Sequence, residues 1–263
     1  MMETLREWLK QYGEDYTIQE LTTLKKIDLS YNHLTSLPEN IDELSNLKTL
    51  KLNGNQLTNL PTTIGKLNSL TTLDLSYNQL TNLPDNINEL KKLRTLNLEH
   101  NQLTNLPENI GELNNLEWLT LNINKLTSLP ENIGELSNPK AIWSEHNQLT
   151  NLPTTIGKLN NLKWLKLGNN QLTSLPEIIT DLNKLEILML EHNQLTTLPE
   201  NIGELKKLGK LNLNNNKITR LPYSFNKLKR AYTSISLTNN AFKTHNLGHV
   251  LLVNGETMIE SWS

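Results

Sequence analysis

Residues 47–69 read LKTLKLNGNQLTNLPTTIGKLNS, and the placing of the apolar side chains inside this stretch decides the fold. Over Lys48 to Asn53 the alternation puts Leu50 and Leu52 on one face and Thr49, Lys51 and Asn53 on the other, which is the pattern of a short half-buried strand. Leu60-Pro61 ends it, because proline cannot donate to a strand ladder and favours extended backbone before it. Ile64 and Leu67 then return inward from the opposite side. Aligned on itself at a shift of 23, the chain repeats this arrangement almost continuously, with repeats beginning at Leu24, Leu47, Leu70, Leu93, Leu116, Pro139, Leu162, Leu185 and Leu208. A tenth, irregular repeat starts near Tyr232, displaced by one inserted residue. A sustained period of this length outranks local propensity.

The repeat is L-x-x-L-x-L-x-x-N-x-L-T-x-L-P-x-x-I-x-x-L-x-x, with positions counted from its first Leu. One strand per repeat, stacked at about 4.8 Å, gives a parallel sheet whose Leu face is buried only by neighbouring repeats. The Asn at position nine recurs as Asn32, Asn55, Asn78, Asn101, Asn124, Asn147, Asn170, Asn193, Asn216 and Asn240. A buried carboxamide needs partners, so these residues are expected to bond backbone groups freed at each strand end. The pattern resembles that of leucine-rich repeat proteins, in the plain 23-residue form found in many bacterial proteins and intracellular scaffolds. The resemblance implies an α/β fold: a right-handed leucine-rich-repeat solenoid, or horseshoe, with a concave parallel β-sheet and one short strand per repeat.

The expected organisation is an N-terminal helical cap over residues 1–23, a solenoid of about ten repeats over 24–242, and a C-terminal cap over 243–263. Thr4-Leu5-Arg6-Glu7 reads as a capping box, and Leu5, Trp8, Leu9 and Tyr12 fall at helical spacing before Gly13, predicting a helix over Glu3 to Tyr12 with Trp8 in the core. At the other end, His249 to Val253 and Glu256 to Trp262 flank Asn254-Gly255, a two-residue hairpin turn, so the cap reads as a β-hairpin. Val250-Leu251-Leu252-Val253-Asn254-Gly255 also looks like the strand that opens a nucleotide-binding loop, as follows the repeats in some Roco GTPases, but no G-x-x-x-x-G-K-[ST] comes after it.

Net charge is −2 with both signs scattered, which gives no electrostatic basis for nucleic-acid partners. No apolar run reaches membrane-spanning length, so no membrane insertion is expected. The absence of cysteine removes disulfides, thiolate zinc sites and the nucleophile used by leucine-rich repeat ubiquitin ligases. Met1 to Lys10 lacks a signal-peptide apolar core, and no Asn-x-Ser/Thr acceptor occurs, so the expected location is the cytoplasm, or export by a route independent of a signal peptide.

In a solenoid of this kind function is expected where sequence varies on a fixed scaffold, at positions three, five, seven and eight. Most carry Lys, Asp, Thr, Ser or Asn, as do Lys26, Asp28, Ser30, Lys210, Asn212 and Asn214. Repeats five to eight differ: Trp118 and Trp164 occupy position three, Trp143 position five, and Ile187 and Met189 positions three and five. At strand spacing the three tryptophans fall within about 10 Å along the sheet, close enough for one binding patch. The competing explanation is that they pack on each other or on neighbouring side-chain stems.

Glu-His pairs recur at Glu99-His100, Glu145-His146 and Glu191-His192. Equivalent positions two repeats apart lie about 10 Å apart, too far to share an ion whose ligand distances are near 2 Å, so no metal or other cofactor is expected. Duplication of a two-repeat block explains the pairs, and Glu145, His146, Glu191 and His192 are expected to form a polar rim. Ser144 stands where an inward Leu belongs and should cost about 2–4 kcal/mol through lost packing. Either this is drift, or a weakened strand lets Trp143 adjust to a ligand. Equivalent Ser, His and Asp are parallel copies, so no catalytic trio converges and no enzyme is expected. The sequence therefore points to a non-catalytic protein-recognition module binding a protein or peptide on its concave face. The alternatives are a regulatory segment of a larger Roco-type GTPase and a glycan-binding protein, since Trp faces also stack on sugars.

Overall fold

The computed structural model describes residues 2–230, 233–242, 250–253 and 256–259. The chain divides into two compact units, one of Met1–Leu126 with Glu135–Pro139 and one of Thr127–Gly134 with Lys140–Ser263. Both are built on the same frame. In the first unit β1 (Lys26–Asp28), β2 (Thr49–Lys51), β3 (Thr72–Asp74), β4 (Thr95–Asn97) and β5 (Trp118–Thr120) pair in parallel in chain order. In the second unit β6 (Ala141–Trp143), β7 (Trp164–Lys166), β8 (Ile187–Met189), β9 (Lys210–Asn212) and β10 (Ser234–Ser236) do the same.

Paired residues from β1 to β5 and from β6 to β9 differ by one repeat, as Thr49 opposite Thr72 and Trp164 opposite Ile187, so each repeat position forms a straight row across the strands. Ser234 lies opposite Lys210, one residue further on, which locates the insertion ahead of β10; Tyr232 itself is outside the described residues. Leu50, Leu52, Leu73, Leu75, Leu165, Leu167, Leu188 and Leu190 are fully buried, as the alternation requires. Behind β1 to β9 the chain returns through a 3-10 turn such as Thr62–Lys66. Pro61 precedes that turn at φ −67° and ψ 150°, and its carbonyl accepts the Ile64 N–H at 3.1 Å. Gly65 is required there by close approach, since a Cβ would stand 2.3 Å from the Asn86 carbonyl oxygen of the next turn.

The position-nine carboxamides link successive repeats. Asn78 Nδ2 donates to the carbonyls of Leu52 at 2.9 Å and Leu75 at 3.0 Å, while its Oδ1 accepts the Leu57 N–H at 3.0 Å. Asn170 repeats the pattern with Ser144, Leu167 and Leu149. Both of these side chains are buried, and both satisfy groups from their own repeat and from the one before.

Position eight turns the chain out of the strand with positive φ: Tyr31, Gly54, Tyr77, His100 and Ile123 in the first unit, and His146, Asn169, His192, Asn215 and Asn239 in the second. The N–H groups of Tyr77 and His192 still donate along the ladder, to Glu99 O at 2.8 Å and Asn214 O at 2.9 Å. The left-handed residue therefore closes the strand and swings the following Asn inward. Gly and Asn adopt this conformation readily and His more readily than most, whereas a β-branched residue such as Ile123 is strained.

Two helices precede the strands, α1 (Met2–Lys10) and α2 (Ile18–Thr23), with Leu5, Leu9 and Leu21 fully buried. The capping box expected at Thr4 is not one, because α1 already begins at Met2 and Thr4 lies within it. The box sits at α2, where the Thr17 hydroxyl accepts the Glu20 N–H at 3.2 Å and the Glu20 carboxylate accepts the Thr17 N–H at 2.7 Å. Gly13, at φ 82°, ends α1 with its N–H on Lys10 O and the Glu14 N–H on Leu9 O. Trp8 is half-buried, edge-on to Tyr12 at 5.1 Å. Near the C-terminus β11 (Val250–Val253) and β12 (Glu256–Ile259) pair antiparallel, Val253 opposite Glu256. His249, the Asn254-Gly255 turn and Trp262 lie outside the described residues. Among the described residues no helix is long and apolar enough to cross a membrane.

Candidate functional site

The outward rows of the second unit bring together most of the residues singled out by sequence. Position three runs Ala141, Trp164, Ile187, Lys210, and position five runs Trp143, Lys166, Met189, Asn212. Trp143, Trp164, Ile187 and Met189 thus share one face of β6 to β8, each half-buried and half-open to solvent. Trp118 stands half-buried on β5 in the first unit, opposite Thr95. Lys166, between Trp143 and Met189, carries its ammonium 4.4 Å from the centroid of the Trp143 ring, a cation–π contact. Trp143 is therefore partly roofed by its neighbour, while Trp164 and Ile187 stand side by side.

Ser144 is fully buried, and its hydroxyl is satisfied. Asn147 Nδ2 donates to Ser144 Oγ at 3.2 Å, where the equivalent Asn170 reaches a Leu carbonyl. The Ser144 N–H keeps its ladder bond to Lys166 O at 2.8 Å, and β6 holds regular register with β7.

The polar residues lie along the edge toward which the strands run. Glu145 and Glu191 occupy position seven on either side of Gly168, and His146 and His192 occupy position eight, exposed. The Glu191 carboxylate lies against Gly168, where a Cβ would meet its Cδ at 2.9 Å. Glu191 Oε2 is shut off from solvent and accepts no hydrogen bond from the described residues. His192 Nε2 is 3.1 Å from Asn215 Nδ2. Among the described residues no three His, Cys, Asp or Glu side chains gather as metal ligands would.

The histidines of the Glu-His pairs sit at the left-handed position, a backbone reason for their recurrence that the sequence reading did not reach. The recurrence of Gly, Asn and His at one repeat position was its signal. The same row in the first unit carries large rings: Tyr31 is 71 % exposed and lies over Gly54, and Tyr77, 50 % exposed, stacks on His100 at 4.3 Å between centroids and 16° between planes. Beside this row Ser30 donates to Asp28 at 2.6 Å and Lys51 approaches the same carboxylate at 3.5 Å. The Ser30 bond first, and the Lys51 charge after it, hold the Asp28 carboxyl below its ordinary value.

Family models for a leucine-rich repeat region match residues 10–93, and models for the leucine-rich repeat match 68–126, 145–195 and 207–228. A leucine-rich repeat protein of Leptospira interrogans is 35 % identical, at a TM-score of 0.69 over 86 % of this chain and 69 % of that one. The chain is a leucine-rich repeat protein. Its repeats also superpose on the leucine-rich repeat domain of the type III effector XopL, with a TM-score of 0.74, 26 % identity and coverage of 91 % of this chain and 88 % of that one. The plant peptide hormone receptor RGFR1, solved in complex with RGF2, is 33 % identical at a TM-score of 0.69, and the 83 % of this leucine-rich repeat chain that aligns spans only 34 % of the receptor. No curated protein matches the sequence.

Proposed function

We propose that this leucine-rich repeat protein is a non-catalytic recognition module that binds a protein or peptide on the outward strand face of its second unit. The observation that carries this is the run of Trp143, Trp164, Ile187 and Met189 on three successive strands, at positions where β1 to β4 present Lys, Thr, Asp and Asn. Large apolar groups kept half in water at extended, unstrained positions are uncommon unless something covers them, and Trp is enriched where binding energy concentrates. The complex of the similar plant peptide hormone receptor supports a peptide as the class of ligand. Glu145, His146, Glu191 and His192 form the polar edge beside the face.

Selection of random displayed peptides on the wild-type protein, followed by measurement on a Trp143→Ala, Trp164→Ala double variant, tests this. The selected peptides should bind the double variant at least about tenfold more weakly while its melting temperature falls by only a few degrees. Equal binding to both proteins would remove the site. Trp118→Ala alone decides whether the first unit contributes, and cell-wall glycan fragments should leave tryptophan emission unchanged.

A further inference from the structure

We infer that the segment bound on this face presents a basic side chain to Glu191; this rests on the binding reading above and specifies its partner. The chemistry starts from how Glu191 is held. Because position seven of the preceding repeat is Gly168, no side chain props the glutamate upright, and its carboxylate folds down against the sheet. One oxygen, Oε2, is thereby withdrawn from water with no donor among the described residues to replace it. A carboxylate stripped of part of its hydration attracts a cation more strongly than a fully solvated one, because the interaction is less screened and less water has to be displaced.

Two cations of the preceding repeat are engaged elsewhere. Lys166, the basic residue nearest in the rows, holds its ammonium over the Trp143 ring. Lys163, near the other end of the same strand, pairs with Glu186 at 2.9 Å. Glu145, at the same repeat position two strands before Glu191, extends the negative edge. Along β8 the surface therefore runs from Ile187, with Trp164 beside it, through Met189 to Glu191. A segment that matches it places an apolar side chain against the first pair and a lysine or arginine two rows further on. Glu99 holds position seven in the first unit beside a polar strand face, and offers a control.

The probe is the peptide acetyl-Leu-Ser-Leu-Ser-Arg-amide, whose alternate side chains share one face when extended and span the distance from Ile187 to Glu191, compared with its twin carrying citrulline, which keeps the shape of arginine and removes the charge. Binding is followed by tryptophan emission and calorimetry on the whole chain. The wild-type protein should bind the arginine peptide at least tenfold more tightly than the citrulline peptide, an advantage that shrinks with added salt. Glu191→Gln should abolish that advantage, and Glu99→Gln should leave it intact. Circular dichroism melts show that each variant is folded. An arginine preference that survives Glu191→Gln overturns the inference. Equal binding of the two peptides, weakened by Trp164→Ala, overturns it as well while the binding face stands. Absence of binding by both peptides, up to millimolar concentration, overturns both readings.

Discussion

The two units share a backbone and differ in where they carry apolar surface. In the first, the strand rows from β1 to β4 are Lys, Thr, Asp and Asn, and the rings stand on the left-handed row at Tyr31, Tyr77 and His100, followed by Ile123. In the second, the left-handed row is His146, Asn169, His192, Asn215 and Asn239, and the apolar groups stand on the strands. One row is conformationally costly for large residues and the other is not. The comparison teaches that the outward rows vary independently of each other and of the core, so decoration can move from edge to face without disturbing the ladder.

The strongest way to break the comparison is to attack what the units have in common. Asn101→Ala and Asn170→Ala each strip a buried carboxamide from three carbonyls and one N–H. Each should cost about 2–4 kcal/mol by urea denaturation, and by a similar amount in the two units. A large asymmetry would mean that the frame is not shared.

A smaller effect of opposite sign in the two units comes from the left-handed row. Ile123→Asn should raise the melting temperature by about 2–4 °C and Asn169→Ile lower it by a like amount, from a difference of about 1 kcal/mol in left-handed backbone cost. Both shifting the same way would assign the cost to side-chain packing instead.

The smallest sharpens the polar face of the first unit. Ser30→Ala should raise the pH at which Asp28 titrates, followed by carboxyl NMR, because the hydroxyl bond is the leading cause of the depression. A depressed folded value favours the ionised form, so the Asp28 contribution is present above the ordinary carboxylate value and is lost as pH falls through the folded one. Ser30→Ala should shrink that contribution and move its loss to higher pH. No movement of the Asp28 titration would assign the depression to the Ser30 N–H and Lys51.

The 23-residue spacing made the strands, their inward leucines and the asparagine ladder legible in the sequence, because each follows from periodicity and the rule that buried polar groups are bonded. The local details that depend on one bond were not. Thr4 and Thr17 both stand three residues before a glutamate, and only where the helices begin decides which pair forms the box. Trp143 could be placed on the outward face, but not beneath the Lys166 ammonium, which depends on rotamers. Ser144 read as a loss of packing, and the Asn147 bond that satisfies it comes from a side chain three residues away. The left-handed row escaped because the sequence was read for chemistry at Glu-His where the backbone was selecting for shape.

The asparagine ladder also bears on how such a chain is made. Such a carboxamide joins a repeat to its predecessor through the same two bonds, one to a strand carbonyl and one from an N–H, seen alike at Asn78 and Asn170. A copied stretch of one or two repeats therefore arrives with its connections already specified, and duplication yields a foldable product in a single genetic event. The outward side chains are then free to diverge, and a recognition surface can be lengthened or relocated by copying before any residue on it has been improved.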